Sequence, residues 1–231
     1  MTIESVIFDW GGTLTPWHDI DQREILRRVA AAHLDATRVE EVADALLAAE
    51  REVWRRCEEE HRSATFADVF ALAGVEPSDA LLAAWFEAWM PHTFTRPDVP
   101  DLLRRLREGG TKVGVLSNTY WSRAWHERIF ARDGILDLID GAVYTSEIPW
   151  TKPHPEAFRA VMAAVGVEDP RACVFVGDRP YDDVHGAKTV GMRAVLLPNS
   201  NVPGYDGAEP DAVIDRLADL LPLISDSDRG G

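Results

Sequence analysis

The sequence predicts an α/β fold, a doubly wound parallel sheet with an inserted all-helical cap, and three observations carry that expectation. Several apolar, β-branched runs have the length of buried strands. From Asp98 onward these runs alternate with helical patterns, as they do where crossover helices join parallel strands. Between the first run and the second, only helical periodicity is found.

The first strand is Val6 to Phe8. Pro16 and Pro97 then bracket the helical insertion, so residues 17–96 read as a cap and residues 1–16 with 97–231 as the core. In the cap, Val39, Val42, Ala43, Leu46, Leu47, Val53, Trp54 and Cys57 fall on one stripe, opposed by Glu40, Glu41, Glu50, Arg51 and Glu58. Ser78 to Met90 is a further helix, with Trp85, Phe86 and Trp89 read as cap core. The core continues as helix Asp101 to Arg107, strand Lys112 to Leu116, helix Arg123 to Phe130 and strand Ala142 to Tyr144. Helix Glu156 to Val165, strands Cys173 to Val176 and Arg193 to Leu197, and a weaker strand Ala212 to Ile214 complete it. The tail from Ser225 reads as frayed.

Composition narrows the function. The chain has 231 residues, too many for a minimal core alone, which agrees with a core carrying one large insertion. Hydrophobic residues make up 46% and charged residues 27%, and no apolar run approaches the ~20 residues of a membrane helix. No export signal is visible, and the two cysteines, Cys57 and Cys173, fit a reducing compartment, so a cytoplasmic location is expected. A net charge of −15 argues against nucleic acid or an anionic membrane surface as partner and leaves a small-molecule substrate. An anionic substrate would need a local cation cluster or a metal to overcome that field.

In open α/β sheets ligands bind beyond the carboxyl ends of the strands. The polar residues found there are Asp9, then Ser117 and Asn118, then Lys152, then Asp178 with Asp182 and Asp183. Several oxygen ligands and one lysine on a single rim describe a hard-cation phosphate site. Lys152 and Ser117 would hold the phosphoryl oxygens and Asp9 would attack phosphorus, giving an aspartyl-phosphate. Lysine is scarce in this chain, occurring only at 112, 152 and 188, so its presence at this rim favours a function. Trp10 and Trp17 both follow Asp9, and Tyr120 and Trp121 follow Asn118; all four read as packing between cap and core.

FDWGGTLTP, LSN, TKPHPEAF and VGDRPYDDVHGA stand in this order, each with its polar residues at or just beyond the end of an expected strand. With these four motifs the chain resembles the haloacid dehalogenase superfamily, over nearly its whole length and including a cap of the C1 type. The resemblance implies a Rossmann-like core and a hydrolase, most simply a Mg²⁺-dependent phosphomonoester phosphatase. It implies Asp9 as nucleophile and Ser117, Asn118 and Lys152 in the catalytic site. It implies Mg²⁺ held by Asp9, the Gly11 carbonyl, Asp178 and Asp183.

One position departs from the pattern. Two residues after the nucleophile, phosphatases of this family usually carry a second Asp that protonates the leaving alcohol and later activates water; here it is Gly11. Another residue or water supplies that proton, or the leaving group needs none, or the protein binds a ligand without turning it over. Carbon–halogen hydrolysis, performed by relatives with a non-acidic residue at this place, is the alternative, although those enzymes usually lack the ligand corresponding to Asp178. Phosphonate cleavage is rejected because it uses a cap lysine for a Schiff base, and no lysine occurs from Met1 to Thr111.

Overall fold

The computed structural model describes residues 2–32, 34–199 and 202–227. Its centre is a six-stranded sheet in the order β3-β2-β1-β4-β5-β6, parallel throughout. The strands are β1 (Ser5–Phe8), β2 (Lys112–Ser117), β3 (Gly141–Tyr144), β4 (Cys173–Gly177), β5 (Arg193–Leu196) and β6 (Ala212–Val213). Each expected strand is present, with bounds shifted by a residue at most. Residues 111–197 alternate strand and helix because each crossover must carry the chain back to the same end of the sheet before the next parallel strand can begin.

Period two along the strands sorts side chains onto two faces. Val6, Phe8, Val113, Val115, Val174 and Val176 join one apolar cluster, while Ile7, Leu116, Cys173 and Phe175 join another. Helix α7 (Pro155–Val165) covers the second face through Phe158, Val161 and Val165. Helices α5 (Val99–Glu108) and α6 (Arg123–Arg132) cover the first through Leu102, Leu103, Leu106, Ile129 and Phe130. All of these residues are at most 7% exposed, so the sheet is a sealed middle layer rather than a half-wet surface.

Between Pro16 and Pro97 the described elements are helical: α1 (Gln22–Ala31), α2 (Val39–Glu60), α3 (Phe66–Ala73), α4 (Asp79–Trp89) and one short 3₁₀ turn, Met90–His92. Their starts follow local chemistry. Asp21 accepts from the Glu24 amide, Ser78 from the Leu81 amide, and Thr65 with Asp68 forms a reciprocal capping box. Leu46, Val53, Phe70 and Trp85 run without a break into the apolar cluster on the first sheet face. The two passages into and out of this helical segment are tied side by side. Arg96 N–H donates to the Leu14 carbonyl at 2.9 Å, and the Thr15 hydroxyl donates to the Phe94 carbonyl at 2.8 Å.

Two expectations change here. Glu50, placed above on the polar face of its helix, is fully buried, because Leu46, Glu50, Val53 and Cys57 are spaced four, three and four apart and share one face. Helix α9 (Leu220–Ser227) carries the chain through Ser225 in regular structure, with Leu220 and Ile224 buried; the remaining tail lies outside the described residues. Among the described residues, no helix is long and apolar enough to cross a membrane.

Candidate active site

Asp9 is the residue directly after β1, and its amide still donates to the Val176 carbonyl at 2.9 Å, so the sheet itself fixes its backbone. The chain then turns sharply: Gly12 N–H donates to the Thr15 carbonyl, and the Thr15 amide donates back to that of Trp10. Gly12 has φ +89°, in the region that favours glycine, and a Cβ there would stand 2.2 Å from Trp17 Nε1 and 2.3 Å from Asp178 Oδ2. Gly12→Ala is therefore expected to force the turn open, lowering the thermal midpoint by an amount equivalent to about 1–3 kcal/mol. A thermal melt that matches the parent would show that the turn has room to give.

Lys152 brings the cluster together. Its Nζ donates to Asp9 Oδ1 at 2.6 Å and to Asp183 Oδ1 at 2.7 Å, and all three side chains are buried. Such a group survives burial only if every charge is paired in good geometry. Asn118 holds the lysine's backbone with two hydrogen bonds, its Nδ2 donating to the Lys152 carbonyl at 3.0 Å and its Oδ1 accepting from the Lys152 amide at 2.8 Å. Asn118 thus positions Lys152. The preceding residues are pinned from the helical segment, where the Thr151 amide donates to the His61 carbonyl and the Ser63 amide to that of Pro149.

Asp183 sits on a single π-helical turn, Pro180–His185, and its Oδ2 accepts from the Arg179 amide at 2.9 Å. Asp178 ends β4's run with Oδ2 accepting from Trp17 Nε1 at 2.6 Å and from Asn199 Nδ2 at 3.2 Å, while its Oδ1 is buried with no hydrogen-bond partner. Carboxylate oxygens of Asp9, Asp178 and Asp183 lie within 4.8 Å of one another. Burial pushes the Asp9 carboxyl up to about 7 against the pull of Lys152, with Asp183 and Asp178 adding to the rise; burial and Asp183 raise Asp178 as well. Three crowded carboxylates, one with an orphaned oxygen, are the donor set that a hard divalent cation fits.

The remaining sequence candidates distribute simply. Ser117, at the end of β2, is 2% exposed and lines the same cavity as Asp9, Gly11, Asn118 and Lys152. Gly11 has no atom within 4 Å of where a Cβ would stand. Asp182 lines the cavity too and is 3.5 Å from the Arg179 guanidinium. Trp10 and Trp121, expected to pack, do so at a ring distance of 5.8 Å, and they also face the cavity. Trp89, expected in the interior of its helical layer, is only partly buried and lines the cavity as well, unlike its fully buried neighbour Trp85.

Three contributors escaped the sequence reading. Trp17 and Asn199 support Asp178 from distant segments, and no local spacing announces either. Glu50, which lines the cavity, could have been found from its register with Leu46 and Val53.

Comparisons with known proteins bear on the family and the fold. A model of the haloacid dehalogenase-like hydrolases matches residues 3–191. Glyceraldehyde 3-phosphate phosphatase of Methanopyrus kandleri is 30% identical over 96% of this chain and 97% of its own. Pyrophosphatase PpaX of Bacillus cereus is 27% identical over 57% of this chain and 60% of its own. Among solved structures, a HAD phosphatase from Thermococcus onnurineus superposes with a TM-score of 0.69 at 24% identity, over 96% of this chain and 97% of that one. The L-2-haloacid dehalogenase of Xanthobacter autotrophicus superposes with a TM-score of 0.67 at 22% identity, over 97% and 99%. At such identities these two likenesses speak for the fold.

Proposed function

We propose, from the premise that this chain belongs to the haloacid dehalogenase-like hydrolases, that it is a Mg²⁺-dependent phosphomonoester phosphatase acting through Asp9. The observation that carries this reading is the buried cluster in which Lys152 bridges Asp9 and Asp183 beside an Asp178 with a free oxygen. In the proposed reaction an Asp9 carboxylate oxygen attacks phosphorus and the bond from phosphorus to the alcohol oxygen breaks. The alcohol departs and takes up a proton; water then attacks phosphorus, releasing inorganic phosphate and the Asp9 carboxylate. Lys152 and Ser117 hold the phosphoryl oxygens through the reaction. Asp9, the Gly11 carbonyl, Asp178 and Asp183 would hold Mg²⁺, which supplies neutralisation of phosphoryl charge when bound. Residues 17–96 act as the cap over this site, in a protein of the cytoplasm.

With Gly11 in place of an acid, departure of the alcohol rests on its own acidity or on another proton donor. The purified chain is therefore expected to hydrolyse p-nitrophenyl phosphate, whose leaving group needs no proton, with activity lost in chelator and restored by Mg²⁺. Metal-independent turnover at an unchanged rate would contradict the reading. Gly11 also keeps carbon–halogen hydrolysis as a second reading. Metal-free chloride release from 2-chloropropionate without phosphatase activity would select it, and inertness toward both substrates would leave a binding role.

A further inference from the structure

The cavity above Asp9 measures about 760 Å³, far more than a phosphoryl group fills, so most of it is shaped for the alcohol half of the substrate. Outside the lysine–carboxylate cluster its walls carry aromatic rings, acidic groups and the imidazoles of His18 and His92, which lie 5.6 Å apart. Trp10 and Trp89 lie 5.8 and 5.7 Å from Trp121, and Trp54 lies 5.8 Å from Tyr120. Among the described residues lining it, the only lysine and arginine are Lys152 and Arg179, both already engaged with the carboxylates at the phosphoryl end.

Glu50 stands in this wall as a fully buried carboxyl whose hydrogen bonds come from uncharged donors, the Tyr120 hydroxyl and Gln22 Nε2 at 2.6 Å. Among the described residues no basic side chain pairs with it. A buried carboxylate without a counter-charge is costly, and burial accordingly pushes this carboxyl up to about 7. Both Glu50 oxygens already accept a hydrogen bond, so what the carboxyl lacks is a counter-charge; a positively charged ligand group in the adjoining cavity would supply it, and faces of Trp and Tyr attract the same charge. The protein's net charge of −15 draws cations toward it as well.

We propose that the substrate's alcohol carries an ammonium group, held against the rings of Trp54 and Tyr120 with the Glu50 carboxyl behind them, while the phosphoryl end meets Asp9 and Lys152. This rests on the phosphatase reading for its phosphoryl end only. The test is isothermal titration of the full chain in Mg²⁺ with 2-(trimethylammonio)ethylphosphonate and with its neutral isostere 3,3-dimethylbutylphosphonate, neither of which offers a P–O ester bond to cleave. The ammonium ligand is expected to bind about tenfold or more tightly. Glu50→Gln and, independently, Trp54→Leu should bring the two affinities within about twofold of each other, each variant being checked first by its thermal melt. Equal affinities in the parent, tighter binding of the neutral ligand, or binding of neither would overturn the proposal. Turnover of p-nitrophenyl phosphate, followed in parallel, separates the two readings. Turnover without ammonium preference removes only the cation pocket, whereas ammonium preference without turnover removes only the phosphatase.

Discussion

Asp9→Asn is expected to reduce p-nitrophenyl phosphate turnover by roughly 10⁴-fold or more, the scale on which removal of a covalent nucleophile acts. Asparagine keeps the volume and the backbone hydrogen bond to Val176, so the end of β1 should hold its place. What changes is chemical: the neutral amide is too weak a nucleophile to form the acyl phosphate that the carboxylate forms. Lys152 loses one of its two carboxylate partners yet keeps Asp183 at 2.7 Å, so the ammonium stays paired in the variant. The measurement combines kcat with mass spectrometry of acid-quenched digests, where the parent should show a phosphoryl adduct on the peptide containing Asp9 and the variant none. A variant with parental kcat, or an adduct on another residue, would end the proposal that Asp9 is the nucleophile.

The sheet was legible because its signal is local. Val6 and Phe8 belong on one face and Ile7 on the other whatever the rest of the chain does, and the burial of all three follows from apolar character alone. The rim residues were legible for a related reason, since a polar residue ending an apolar strand has only one edge of the sheet to occupy. Contacts made across the fold were not. Trp17 reaches Asp178 over 161 residues, and nothing in the spacing of either residue reports the hydrogen bond that joins them. Asn118 was placed at the site from its strand end, but its work on the Lys152 backbone depends on how two loops meet. Glu50 shows the opposite failure. Its charge argued for a solvated face and outweighed its spacing, although the register with Leu46, Val53 and Cys57 was the better guide.

Gly11→Asp is expected to accelerate phosphoryl transfer from simple alkyl phosphates to Asp9, read as kcat/KM, by roughly 10² to 10⁴-fold, the usual worth of general acid–base catalysis, while changing kcat/KM for p-nitrophenyl phosphate little. The backbone permits it. Gly11 does not occupy the positive-φ region that Gly12 needs, and no atom lies within 4 Å of where its Cβ would stand. The new carboxyl would arise two residues after Asp9, in the wall of the same cavity, where a departing alcohol oxygen must leave phosphorus. Selectivity of the gain is the informative quantity. A nitrophenolate leaves without a proton, so a better acid has little to offer it; an alkoxide does not, so the benefit should grow as the leaving alcohol becomes less acidic. Rates across a series of phosphate esters of graded leaving-group acidity would show this as a shallower dependence in the variant than in the parent. Gly11→Asn, similar in size and unable to donate a carboxyl proton, should leave the parental dependence in place. If Gly11→Asp left the series unchanged, the parent would already possess a proton donor, and the shallow dependence would be found in the parent as well. If Gly11→Asp and Gly11→Asn accelerated alkyl phosphates equally, the gain would come from filling the space beside Asp9, and the missing carboxyl would not be the reason for slow turnover.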